Sequence, residues 1–234
     1  MNQNEQLEML YRNHWDDISN ALENQNKKYA MPFLIKVPEA INNPTAYKII
    51  IFGQETLGWY DHRTLEEWIE IGMSEYEKFF LERNFYEGYS KSSFWKKFRY
   101  FERELSNAVL DQGKSPVFIW NNISKIGKSK NLGSGIFDAI RKIERENFSV
   151  ISHELQIIKP DLCIFMTGPN RDHDIRFHFP EIKISQFGNG YSIREIAQLE
   201  LCGFNGIRLY HPSYYGKFTK KYQNDAMQSL KEMM

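Results

Sequence analysis

Apolar residues follow two rhythms along the chain, and each rhythm predicts a different element. Four compact runs, AYKIIIFG at 46–53, VFIWNN at 117–122, DLCIFMTG at 161–168 and GIRLY at 206–210, are bounded by glycine, proline or polar residues. Their length and their Ile, Val and Phe content predict strands buried on both faces. Elsewhere apolar residues return every three or four positions. Leu65, Trp68, Met73, Tyr76 and Phe80 do so behind a capping box of Thr64 and Glu67, and Phe94, Phe98, Phe101, Leu105 and Val109 do so again. Amphipathic segments at about 136–145 and 149–159, with the closing stretch 217–233, predict further helices. Ser192 and Glu195 form a second capping box, which predicts a helix to about residue 202.

The connectors carry their own signals. Residues 1–30 are polar with sparse apolar positions (Leu7, Leu10, Tyr11, Trp15, Ile18, Leu22) at helical spacing, so residues 1–40 read as a peripheral N-terminal helical extension of one domain spanning 1–234. Gly, Ser, Lys and Asn fill 128–135 and predict a surface loop. The stretch DIRFHFPEIKISQF at 174–187 alternates polar and apolar residues across Pro180, which predicts two short, partly exposed strands beside the main sheet.

Apolar strands separated by helices predict an α/β fold with a parallel sheet covered on both faces. All carboxyl ends of such a sheet lie on one edge, where ligands bind. That edge would gather Gly53, Gln54 and Glu55 after the first strand, Asn121 after the second and His211 after the fourth. Each has a local explanation too: Glu55 as a helix cap or lysine partner, Asn121 as a turn bridge, His211 as a local hydrogen bonder. Together they supply a carboxylate, an amide with a donor and an acceptor end, and an imidazole. Such an amide pairs with the lactam edge of a nucleobase, the imidazole stabilises a departing base anion, and the carboxylate positions water or offsets charge at the sugar. These are the needs of N-glycosidic bond cleavage. Trp59 and Tyr60 are the nearest candidates for a stacking wall, and both could equally cover the sheet edge.

Composition narrows the picture only modestly. The 234 residues carry 30 basic and 30 acidic side chains, so no global positive field marks a nucleic-acid-coated protein, although a local basic face is compatible with that balance. Aromatic residues make up 15%, a slight excess that suits cores and base stacking alike. No apolar stretch is long enough to span a bilayer, and the first residues lack a basic region followed by an apolar one, so a cytoplasmic, non-membrane protein is expected. The two cysteines, Cys163 and Cys202, form no metal-binding spacing or disulfide framework and read as core thiols. No cofactor or metal is expected in the main reading, and the chain is expected to be a monomer.

The chain resembles the uracil-DNA glycosylase superfamily as a divergent member. Gly53-Gln54-Glu55-Thr56-Leu57 is similar to the family's Gly-Gln-Asp-Pro-Tyr motif, VFIWN with Asn121 to its second motif, and His211-Pro212-Ser213 to its last. The resemblance covers about residues 45–225 and implies a three-layer α/β/α fold with a central four-stranded parallel sheet. It also implies DNA as partner and release of uracil or a related deaminated or damaged base. Glu55 and His211 would be catalytic, Asn121 and the main chain of Gly53 and Gln54 would bind the base, and Ser213 would hold a backbone phosphate. Glu55 lengthens the family's carboxylate arm by one methylene, Thr56 and Leu57 replace the proline and tyrosine, and two cysteines cannot hold the iron–sulfur cluster of one branch.

Two lysine groups are candidates for phosphate contact: Lys125, Lys128 and Lys130, and Lys217, Lys220 and Lys221. A solvated lysine face accounts for them equally well. Two further readings stand beside the glycosylase: a non-catalytic nucleic-acid or nucleotide binder, and a metal-dependent phosphate-ester hydrolase using Asp172, His173, Asp174 and His178.

Overall fold

Leu162–Phe165, entirely buried, forms the strand around which the sheet is arranged. A computed structural model describes residues 1–234 except Lys27, Ser90 and Asn189, and the side chains of Tyr86 and Glu87. In chain order the elements are α1 (Gln3–Glu23), β1 (Ala46–Gly53), α2 (Leu65–Tyr76), α3 (Phe85–Gly88), α4 (Ser93–Asp111), β2 (Ser115–Asn122), α5 (Asp138–Asn147) and α6 (Ile151–Ile158). They continue with β3 (Leu162–Phe165), α7 (Asp172–His178), β4 (Lys183–Gln186), β5 (Ala197–Leu201), β6 (Phe204–Arg208) and α8 (Lys220–Glu232). The chain divides into two compact units. One comprises residues 1–37, 54–84 and 122–158, and the other residues 38–53, 85–121 and 159–234.

The second unit holds the sheet, in the order β2-β1-β3-β6-β5-β4. Strands β1, β3 and β6 run parallel, with Ile50 opposite Cys163 and Ile164 opposite Ile207. Phe52 and Phe165 stack face to face at 4.4 Å across the β1–β3 pair, which adds an aromatic contact to the burial that drives the strands together. Helix α4 packs on β1 and on α8.

The remaining strands correct the expected fold and the family resemblance with it. β5 runs antiparallel to β6, and β4 antiparallel to β5. The sheet is therefore six-stranded and mixed, where the uracil-DNA glycosylase resemblance implied four parallel strands. The physical cause lies in Cys202 and Gly203, whose φ angles of 48° and 99° are both positive. A two-residue connection of that kind matches the right-handed twist of paired strands, so it closes a tight hairpin between Leu201 and Phe204. The expected helix through residue 202 is absent: the Ser192 N–H and hydroxyl both donate to the Glu195 carboxylate around a single turn, which gives way to β5 at Ala197. Cys202 is exposed on this turn, not in the core, whereas Cys163 is buried. Of the two strands expected at 174–187, only β4 forms, as an exposed edge strand; the first half is helix α7.

The first unit is helical. Leu7, Tyr11, Trp15, Ile18 and Leu22 of α1 are all buried, and α1 packs against α2, α5 and α6. Asn2 and Glu5 close a capping box at its start, and Thr64 and Glu67 close the predicted one at the start of α2. No described helix is long and apolar enough to cross a membrane.

Candidate functional site

Within the sheet unit, the parallel strands end next to one another. Met166 donates its N–H to Phe52 O at 2.9 Å and Leu209 donates to Phe165 O at 2.8 Å, so the ladder continues just past the ends of β3 and β6. Gly168 follows in the left-handed region, φ 76°, and donates to Leu209 O at 2.9 Å. A side chain there would place its Cβ 3.4 Å from the main-chain nitrogen of His211, an ordinary contact, in a backbone conformation that L residues rarely adopt. The turn after β3 is thus built to lie close against His211.

His211 is half-buried, and its ring is held by its own neighbour. The Ser213 backbone N–H donates to Nδ1 at 3.3 Å, and the Ser213 hydroxyl lies 2.6 Å from the same nitrogen. An Nδ1 that accepts the Ser213 N–H carries no proton of its own, which is the tautomer with the ring hydrogen on Nε2; the 2.6 Å hydroxyl contact is compatible with either tautomer. Burial, with the Arg171 guanidinium adding to it, lowers the imidazole from the ordinary histidine value to about 4. Around neutral pH His211 is therefore an uncharged donor through Nε2.

Arg171, itself buried, donates to Asp174 Oδ2 at 3.1 Å. Arg208 is almost wholly enclosed and spans Asp172 Oδ1 at 3.0 Å and the carbonyl of Arg194 at 2.7 Å. These two arginines engage the carboxylates of the Asp172–Asp174 cluster, and no three His, Cys, Asp or Glu side chains gather as a ligand group among the described residues. The proposed metal-ligand stretch works instead as a structural strut. Asn121, at the end of β2, is fully buried, and Gly53 is buried too. Beyond His211 the surface opens: Tyr214 is 52% and Tyr215 98% exposed, with Ser213, Lys217, Lys220 and Lys221 also exposed. Lys221 pairs with Asp225 at 2.5 Å one turn along α8.

In the helical unit the expected site residues join two loops. Glu55 Oε1 accepts the Gly135 N–H at 2.8 Å, and the Gln54 carbonyl accepts from Ser124 at 2.9 Å. Gly58 donates to Lys128 O at 3.0 Å, and Lys130 donates its N–H to Asp61 at 2.7 Å. The loops touch so closely at Gly127 that a Cβ would sit 1.8 Å from Thr56 O. Lys128 Nζ lies over the Phe137 ring at 4.4 Å. Trp59 is buried between Phe33, Tyr60 and Phe79, and Tyr60 packs on Trp68, so this aromatic pair serves the interior of its own unit.

Lys125 requires the plainest correction. Neither its side chain nor that of Glu154 has any exposed surface, and Nζ meets Glu154 Oε1 at 2.6 Å. Tyr11 donates its hydroxyl to the same oxygen at 2.6 Å, and the Phe33 ring lies 5.4 Å from the ammonium. A residue enclosed this way cannot contact DNA phosphates. Sequence patterning counted it with its neighbours because a lysine after a strand ordinarily points to water. The same patterning missed Arg171, whose guanidinium holds Asp174, and Tyr222, whose role depends on which backbone it faces.

A scan against protein-family models finds no family that matches this chain, and a search of curated proteins finds no match.

Proposed function

We propose that the sheet-bearing unit binds DNA at the edge carrying His211 and releases a damaged or deaminated base by hydrolysis of its N-glycosidic bond. The observation that carries this reading is the geometry of His211 at the strand edge: Nδ1 engaged by the Ser213 N–H and hydroxyl in a half-buried setting, which favours an uncharged ring able to donate through Nε2. As the bond to the sugar lengthens, negative charge collects on the departing base. A fixed neutral donor stabilises that charge without first being charged itself, and does so more strongly in a partly desolvated setting than in water. Exposed Tyr214 and Tyr215 with Lys217 and Lys220 provide faces for stacking and charges for phosphate beside the ring.

Glu55 belongs to the helical unit, where its Oε1 accepts the Gly135 N–H, so its role as the carboxylate of the reaction rests on the sequence reading and is put to the test by substitution. Asn121, fully buried, keeps its role as base reader only as a sequence assignment, and a second reading is binding without base release. One experiment decides between them. Single- and double-stranded DNA containing uracil, hypoxanthine or xanthine is incubated with the chain, and free base and alkali-labile sites are measured. Release that fails in both His211→Ala and Glu55→Ala supports the glycosylase reading. Binding with no release from any substrate leaves the binder, and release untouched by both substitutions rejects the assigned residues.

A further inference from the structure

We propose that Tyr222 is a positioning residue for His211: its hydroxyl, carried on α8, anchors the main chain where β6 leaves the sheet and so sets the direction of the imidazole Nε2–H. The proposal rests on the reading of His211 as the donor to the departing base.

The strand ladder supplies partners only as far as Leu209, whose N–H reaches Phe165 O and whose carbonyl takes the Gly168 N–H. The next amide, that of Tyr210, lies beyond the ladder in a buried stretch and needs an acceptor from elsewhere. Tyr222 provides it. Its hydroxyl accepts the Tyr210 N–H at 2.9 Å and donates to the Glu195 carbonyl at 2.7 Å. Burial raises the phenol above its ordinary range, so the hydroxyl remains a donor. The ring is held by Phe218 at 5.1 Å, Tyr210 at 5.4 Å and Tyr191 at 5.5 Å. The residue preceding His211 is thus tied by a side chain from α8, and the residue before that is tied to the turn after β3 by the Gly168 N–H on the Leu209 carbonyl. A strand that ended without that tie would let residues 210–213 rotate as a loop, and the Ser213 contacts that choose the ring's tautomer would move with it.

Tyr222→Phe removes the hydroxyl and keeps the ring. Long-range ¹H–¹⁵N spectra of the His211 ring, followed from pH 8 to pH 4, are expected to show shifted nitrogen signals and a higher protonation midpoint in Tyr222→Phe than in the natural chain. Base release is expected to lose about tenfold in kcat with KM little changed, as misplacement of a reacting group predicts. Tyr191→Phe is the control, since it removes a hydroxyl from the same aromatic cluster that bonds Asp225 and not residue 210. His211 signals unchanged in Tyr222→Phe, or altered equally by Tyr191→Phe, would overturn the proposal. Amide exchange of the natural chain needs no variant: Tyr210 is expected to be protected like Leu209, and a fast-exchanging Tyr210 amide would also overturn it. If the natural chain releases no base, the ring signals and the exchange rates still decide the positioning claim by themselves.

Discussion

Lys125 and His211 are both basic side chains near the end of a strand, yet they live in opposite chemical conditions. Lys125 sits in the helical unit with its charge answered from several sides: Glu154 at 2.6 Å, the Phe33 ring, and Tyr11 sharing the same carboxylate. Burial lowers its pKa, and Glu154 acts in the other direction. His211 sits in the sheet unit with one nitrogen answered by Ser213 and the other turned to no protein partner among the described residues. The first constellation is wholly enclosed and engaged within the fold. The second has side-chain contacts on Nδ1 alone among the described residues, which leaves Nε2 available to a ligand.

The largest effect should come from opening the closed constellation. Lys125→Met leaves Glu154 buried without its cation, and loss of one partner of a buried pair costs about 3–5 kcal/mol of stability. Denaturant unfolding should register that loss, and the double change Lys125→Met with Glu154→Gln should recover most of it. A double variant as unstable as the single one would show that Lys125 matters through packing alone.

At the open constellation the effect should fall on rate. His211→Ala is expected to slow base release about 10²- to 10³-fold, the usual cost of one oxyanion-type donor, with thermal stability little changed. Because the folded ring protonates only near pH 4, release should stay level from pH 8 to about 5 and fall below that. The stability linkage has the same sign. Between about pH 6.5 and 4 the unfolded chain takes up a proton that folded His211 refuses, so this group's contribution is present above 6.5 and is lost as pH falls toward 4. A rate that instead drops through pH 6.5 would mean an ordinary, solvated histidine.

The smallest effect concerns the exposed lysines. Lys220→Ala with Lys221→Ala should flatten the salt dependence of DNA affinity by roughly one to two units of log–log slope, with Lys221 contributing less because Asp225 already holds it. An unchanged slope would take α8 off the DNA surface.

Much of this was legible in the chain itself. Strands β1, β2, β3 and β6 appear as apolar runs, and α2, α4, α5, α6 and α8 as three-and-four periodicities, because both periods follow from backbone geometry. The hairpin β5–β6 was not. Ser192 and Glu195 carry a helix-start signal that the structure honours for one turn, while Cys202, a residue seldom found at positive φ, makes the turn that decides strand pairing. For the site, His211 and its Ser213 neighbour are contiguous and could be paired from the sequence. Tyr222 lies 12 positions beyond Tyr210, and a tyrosine on a helical face gives no sign of which amide its hydroxyl will meet.

The sequence by itself determined the four apolar strands β1, β2, β3 and β6, the helices with clear three-and-four periodicity and the residue types at the strand ends, since these depend on near neighbours along the chain. It misassigned 174–179 and 192–202, which fold as helix α7 and as the turn and strand leading to the β5–β6 hairpin. Only the tertiary structure decided that the sheet is mixed, that Lys125 turns inward to Glu154, and that burial lowers the pKa of His211. Strand direction, burial and protonation are set by what distant residues place around a group, and no local pattern encodes that environment.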